Sequence, residues 1–340
     1  PGAGGREYDV EVLQVLPVED VSVRLCHDGR SGAASKRTTR PGESGPSPIE
    51  GCDAKVRLRV TAGADGPELL AERELSLQVA SGAVCAAVDE VVPTMRQGEA
   101  CEVRCSDRWL CTDKSLGLQF ADDTEVTFHL ELLSFERIDL QSLSVPEKMA
   151  YCTKRKEVGT RFFQEGLQHP QRQCSWFQAL KRYRQAAVVL GGATGWPEEE
   201  RSSALALRRL CRLNVAACWL KLEAWEEAER SCRLVLDEEP ENPKALFRRG
   251  QALSELRDHA GAERCARALL LADPKNREAA RLLAKARQSL RADAEQRREL
   301  FARMARGVGE AGEEQAGAAE AASAAAGEGP GAERGAEELL

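Results

Sequence analysis

Residues 209–276 repeat themselves at a spacing of 34. Ala216 recurs as Gly250, Trp219 as Leu253, Ala228 as Ala262, Val235 as Leu269 and the helix-ending Pro240 as Pro274. A unit of this length and pattern is a pair of antiparallel helices whose small residues let the two backbones approach closely. Such a pair cannot bury its apolar stripe alone and has to stack on neighbours, which builds a solenoid with a concave groove. The first functional expectation is therefore peptide binding.

Reading backward from this pair exposes a third unit. Lys156, Gly159, Phe162 and Phe163 suit its first helix, and Ala179, Tyr183 and Ala186 its second. The join between them, 166–178, is about eight residues longer than a standard unit, which predicts an insertion. The helical character begins after Leu140, with Ser144 ahead of Glu147 as a capping signal. The repeats are placed at 151–280, after a linker at 138–150. Beyond them Leu283, Ala286, Leu290, Leu300 and Met304 keep an apolar stripe, predicting a helix over 281–306 that caps the stack. Its arginines read as a solvated face in preference to a calmodulin-target or membrane-surface helix. The Gly/Ala/Glu-rich stretch 307–340 offers too little apolar surface to offset chain entropy and is expected to be disordered.

The N-terminal half has a different period. After an N-terminal segment, 1–20, the runs VSVRLCHDG, AKVRLRV, ELSLQV, EACEVRC and TEVTFHLELLSF alternate apolar and polar residues and read as strands of one domain over 21–137. AVDEVVPTM, around Asp89, is its one expected short helix. The Gly/Ser/Pro-rich stretch 30–51 reads as a long surface loop.

Composition excludes several function classes. The net charge is only -7, with much of the acidity in the tail, so neither a nucleic acid nor an anionic membrane is expected as a partner. No apolar run reaches the eighteen or so residues of a membrane span, and the opening PGAGGREYDV has no secretory apolar core. The twelve cysteines include no CxxC pair, and none of the four histidines stands near another. Buried thiols in a reducing compartment account for them, and neither a metal nor a cofactor is expected. Phosphate-binding, nucleophile-elbow and zinc-protease motifs are absent. His27 beside Cys26 would point to the opposite face of a strand, so no catalytic pair is read there.

The groove carries the chemistry. Concave positions of the first helices hold Lys156 and Thr160, then Asn214, then Lys244 and Arg248. Lys244 and Arg248 lie one turn apart on one helix face. Three cations and an amide converging on one volume suit a carboxylate terminus beside an acidic side chain. The segments KEVGTRFF, LNVAACWLKL and NPKALFRRGQAL resemble the carboxylate-clamp tetratricopeptide domains of large immunophilin co-chaperones, which bind the C-terminal EEVD peptide of cytosolic heat-shock chaperones. On that resemblance Lys156, Asn214, Lys244 and Arg248 match the clamp, and Thr160 stands where many members have asparagine.

GEACEVRC, SGAVCAAVDEVVPTMRQGE and TEVTFHLELLSFE resemble the FKBP-type prolyl-isomerase domain, in which a short helix packs across a bent antiparallel sheet. The resemblance aligns Val60 with the tyrosine of the central strand, Val88 with the tryptophan floor and Cys111 with the hydroxyl-bearing tyrosine. The usual phenylalanine and aspartate fall in GPELLAERE, which has neither, and only Phe128 remains of the aromatic set. Each ring would bring about 150–250 Å² of apolar face, so this resemblance implies a degenerate, inactive pocket.

The chain thus resembles an α+β multidomain FKBP-like immunophilin with an all-α tetratricopeptide solenoid, over about residues 21–306. Within the family it is most similar to the FK-binding-protein-like branch, whose isomerase domain is non-functional. The resemblance implies a cytoplasmic scaffold, with the nucleus open as a second location, that links a heat-shock chaperone to a client such as a cell-cycle inhibitor or steroid receptor. Two alternatives stand beside it. One is an adaptor independent of chaperones; the other is a weakly active peptidyl-prolyl isomerase, for which Phe120 and Trp109 would have to replace the missing rings.

Overall fold

The computed structural model describes residues 18–25, 33–113, 115–120, 124–170 and 173–326. The chain opens with β1 (Val18–Asp20), α1 (Ser22–Leu25), β2 (Ala34–Arg40), β3 (Asp53–Ala62), β4 (Glu68–Gln78), α2 (Ala86–Val91), β5 (Ala100–Cys105), α3 (Arg108–Cys111) and β6 (Val126–Phe135). The strands form one antiparallel sheet in the order β1-β2-β5-β6-β3-β4. Alternation does what the sequence predicts in β5, where Cys101, Val103 and Cys105 turn inward. With Val56, Leu58 and Val60 of β3 and Phe128, Leu130 and Leu132 of β6, they form the core beneath α2.

Three local expectations are corrected. Ser22–Leu25 is a helical turn instead of a strand, because Asp20 Oδ1 accepts from Ser22 N at 2.9 Å and draws the chain into a turn. Cys26 and His27 lie outside the described residues. Part of the expected loop, Ala34–Arg40, is a strand lodged between β1 and β5. Its polar run escapes a period-two reading because its charges find partners across the sheet: buried Lys36 meets Glu99 at 2.6 Å and Arg37 meets Glu102 at 2.7 Å. Finally, α2, extended by a 3-10 turn at Val92–Thr94, is joined by the one-turn α1 and α3. In α3 the Asp107 side chain accepts from Trp109 N.

The helical half comprises α4 (Val145–Gln168), α5 (Gln173–Val189), α6 (Glu198–Lys221), α7 (Trp225–Leu236), α8 (Pro243–Glu255), α9 (His259–Ala272) and α10 (Arg277–Ala326). The Ser144–Glu147 capping box opens α4 as expected. Asn242 and Asp258 cap α8 and α9 by accepting from Ala245 N and Gly261 N. The 34-residue register becomes two stacked hairpins, α6–α7 and α8–α9. Gly250 marks the tight contact, since a Cβ there would stand 2.6 Å from Leu282 Cδ2 and 3.3 Å from Cys265 Cβ. The extra residues of the first unit lengthen α4 and α5 by about a turn each, so they do not form a separate loop. α10 continues through Ala326, so residues 307–326 are helical where composition predicted disorder. Ala, Glu and Gln are strong helix formers, and the packed start of α10 removes the cost of nucleation. Residues 327–340 lie outside the described residues.

The two halves meet through charge. α2 lies between the sheet and α5, which explains why Asp89 and Glu90 are buried along with Val88 and Val91. Arg182 of α5, fully buried, donates from Nε to Ala80 O at 2.8 Å and from Nη2 to Glu90 Oε1 at 2.8 Å. Arg155 of α4, equally buried, donates to the same Ala80 carbonyl at 3.1 Å. Tyr151 Oη donates to Glu50 O at 3.0 Å.

Candidate peptide-binding groove

Lys156 and Thr160 stand on α4, Asn214 on α6, and Lys244 and Arg248 on α8. These are the first helices of the three units, and α6 packs against both α4 and α8. Thr160 Oγ1 donates to the Lys156 carbonyl at 2.9 Å and accepts from Tyr183 Oη of α5 at 3.0 Å. Its only hydrogen is therefore committed, and the residue acts as a strut that fixes the turn carrying Lys156. Burial pushes the Tyr183 phenol up to about 12, so it remains a donor at neutral pH.

Arg248 is held from α6. Its Nη1 donates to Leu213 O at 2.5 Å, next to Asn214. Burial lowers the guanidinium's pKa, although an arginine remains charged in any protein setting. It also lines a groove of about 670 Å³ with Phe163, Trp225, Phe247, Gln251 and Leu282. The groove extends toward α10, where Arg281 also lines it. Of the five predicted residues, only Arg248 lines this cavity. Gln251 and Arg281 escaped sequence reasoning, although Gln251 follows Arg248 by three residues, the spacing of one helix face.

Several basic groups on the helices are paired: Arg208 with Glu238 at 2.8 Å, Arg249 with Glu229 at 2.9 Å and Lys285 with Glu255 at 2.8 Å. Among the described residues Lys156, Lys244 and Arg248 have no carboxylate partner. Lys244 is exposed in the first turn of α8, where no acid accompanies it, whereas α6 opens on Glu198, Glu199 and Glu200 and α7 on Glu226 and Glu227. A cation at a helix N-terminus opposes the macrodipole by about 0.3–1 kcal/mol. The arrangement therefore carries an uncompensated positive field that an acidic group can satisfy.

In the sheet domain the structure brings the four aligned pocket residues into one core. Val60 and Phe128 are paired across β3 and β6, Val88 lies on α2 and Cys111 ends α3. Each is fully buried. Trp109 stacks on His169 at the end of α4, with ring centroids 6.4 Å apart, and Phe120 is only partly buried against the core. Every cysteine among the described residues is buried and outside any disulfide, and no His/Cys/Asp/Glu group there could hold a metal ion. No described helix is long and apolar enough to cross a membrane.

Comparison with known proteins fits this architecture. The tetratricopeptide repeat family matches residues 220–286. A human protein, peptidyl-prolyl cis-trans isomerase FKBP4, is 30% identical over 323 residues, covering 93% of this chain and 66% of the relative. Over most of its length the chain is thus similar to FKBP-type immunophilins, and its C-terminal half to tetratricopeptide repeats. It spans slightly less than two thirds of that relative's length. Among solved structures, a multi-domain immunophilin from Arabidopsis thaliana is 24% identical, with a TM-score of 0.35, over 70% of this chain and 94% of its own. The second tetratricopeptide domain of human RPAP3, solved with the HSP70 peptide SGPTIEEVD, is also 24% identical, with a TM-score of 0.33, over 41% of this chain and 98% of its own.

Proposed function

We propose that this chain is a non-catalytic co-chaperone: its groove binds the C-terminal EEVD peptide of cytosolic heat-shock chaperones, and its FKBP-like domain presents client proteins. The observation that supports the reading is the placement of Lys156, Lys244 and Arg248, none with a carboxylate partner among the described residues, on first helices α4 and α8 on either side of Asn214 on α6. A terminal carboxylate and two acidic side chains supply the missing charge, and Asn214 can add an amide hydrogen bond. Thr160 belongs to this clamp as a support for Lys156. The loss of catalysis rests on Val60, Val88 and Cys111: aliphatic and thiol groups, fully buried, stand where family members hold the rings of a proline slot. Clients of the steroid-receptor or cell-cycle-inhibitor kind, and residence in the cytoplasm and nucleus, follow from the family resemblance.

The deciding experiment is a titration of the full chain with an EEVD peptide as free acid and as C-terminal amide. Binding that depends on the free acid supports the clamp. Equal binding, or none, supports an adaptor that works without chaperones. A prolyl-isomerase assay on the same preparation tests the second half of the proposal, and turnover comparable with that of FKBP4 would overturn it.

A further inference from the structure

A second cavity, of about 360 Å³, opens between the sheet domain and the α4–α5 hairpin, away from the peptide groove. Gln178 of α5 lines it and is only 1% exposed, yet among the described residues neither its Nε2 nor its Oε1 has a hydrogen-bond partner. Buried amides are almost always satisfied, so a carboxamide without a protein partner at either atom, facing a solvent-open cleft, points to a group that would pair with it there. We propose that this interdomain cleft binds a small, uncharged ring compound whose carboxamide or lactam edge pairs with Gln178.

The chemistry follows from the walls. A carboxamide presents a donor and an acceptor side by side, and a primary amide or lactam returns the complementary pair. Trp109, Phe162 and His169 line the cleft and give a flat ring aromatic surface to lie against. Its two carboxylates, Asp113 and Glu165, disfavour an anion. Asp113 is already engaged, its Oδ2 accepting from Cys85 N at 2.8 Å and its Oδ1 from Ser115 N at 2.9 Å, so it contributes charge and shape but does not ligate. The volume lies near the lower end of small-molecule sites, enough for one or two rings.

Nicotinamide, a pyridine carrying a carboxamide, is the probe, and nicotinate is its anionic counterpart of nearly the same shape. The full chain, labelled with 15N, is titrated with each to about 50 mM while the indole N–H resonances of the tryptophans are followed. Saturable movement of the Trp109 signal with nicotinamide is expected, while Trp225 in the peptide groove stays still. Nicotinate should bind at least tenfold more weakly. Gln178→Leu should weaken nicotinamide at least tenfold without altering EEVD-peptide binding. Ala83→Trp, an exposed loop substitution at the mouth of the cleft, should block the site even if Gln178→Leu fails to fold. Equal response to nicotinate, unchanged binding in a folded variant, or an immobile Trp109 signal at the highest concentration would each overturn the assignment.

Discussion

Arg182 and Glu90 form an ion pair of 2.8 Å at side-chain exposures of 0% and 4%, joining a helix of the solenoid to the helix that crosses the sheet. Asp89 lies beside it, 3.4 Å from the same guanidinium, and Lys181 also meets Glu90. Removing one member of such a pair strands the other in a medium that solvates charge poorly. Arg182→Leu is therefore expected to destabilise the chain by about 3–5 kcal/mol. Because Glu90 belongs to one half and Arg182 to the other, the loss should appear in chemical denaturation as early separation of the sheet domain from α4–α5. A single unchanged transition would contradict this role.

Asp89 predicts a pH dependence at the same junction. Burial raises its pKa above 3.8 in the folded chain, more than Arg182 and the Gly82 amide lower it. A raised carboxylate pKa means that the fold favours the protonated form, so this group's contribution is fully present below about pH 4. It is lost as pH rises through the folded value. Asp89→Asn keeps an acceptor for Gly82 and removes the titration, so its stability relative to the parent should grow from pH 4 upward. Urea unfolding of both proteins between pH 4 and 8 reads this directly, and a parent that gains on the variant with rising pH would refute the sign.

The groove predicts a charge effect without a folding effect. Lys244 is exposed and Arg248 is held by one main-chain contact, so neither anchors the core. Lys244→Glu with Arg248→Glu should weaken EEVD-peptide binding at least a hundredfold, on the order of 3 kcal/mol, with little change in melting temperature. Binding by the parent should also weaken as salt rises, since the Debye length falls from about 10 Å at 0.1 M to about 3 Å at 1 M. Isothermal titration at several ionic strengths tests both statements.

Thr160 should separate a strut from a ligand. Thr160→Val keeps the shape but removes the bonds to Lys156 O and Tyr183 Oη, and should cost roughly 0.5–1.5 kcal/mol of stability for each net bond lost. Peptide affinity should fall less than threefold, whereas Lys156→Ala should reduce it more than tenfold. Comparable losses from the two substitutions would make Thr160 a direct contact.

The helix pairs, the strands β3, β5 and β6 and the positions of the groove residues were legible because each is written in a short window. An apolar stripe at 3.6 or at 2 residues states which face is buried, and a 34-residue period states that the units stack. Lys156, Asn214, Lys244 and Arg248 could be placed on first helices for the same reason, and Asn214 and Arg248 occupy equivalent places in the 34-residue register. Only the tertiary structure could place β2, the junction and Gln178. Lys36 can be buried in a strand because Glu99 waits across the sheet, and Arg182 because Glu90 does, 92 residues away. A polar side chain in sequence carries no mark of whether it will be solvated, paired or left open. That outcome depends on partners distant along the chain, brought within 3 Å by the packing of apolar faces that the local pattern does encode.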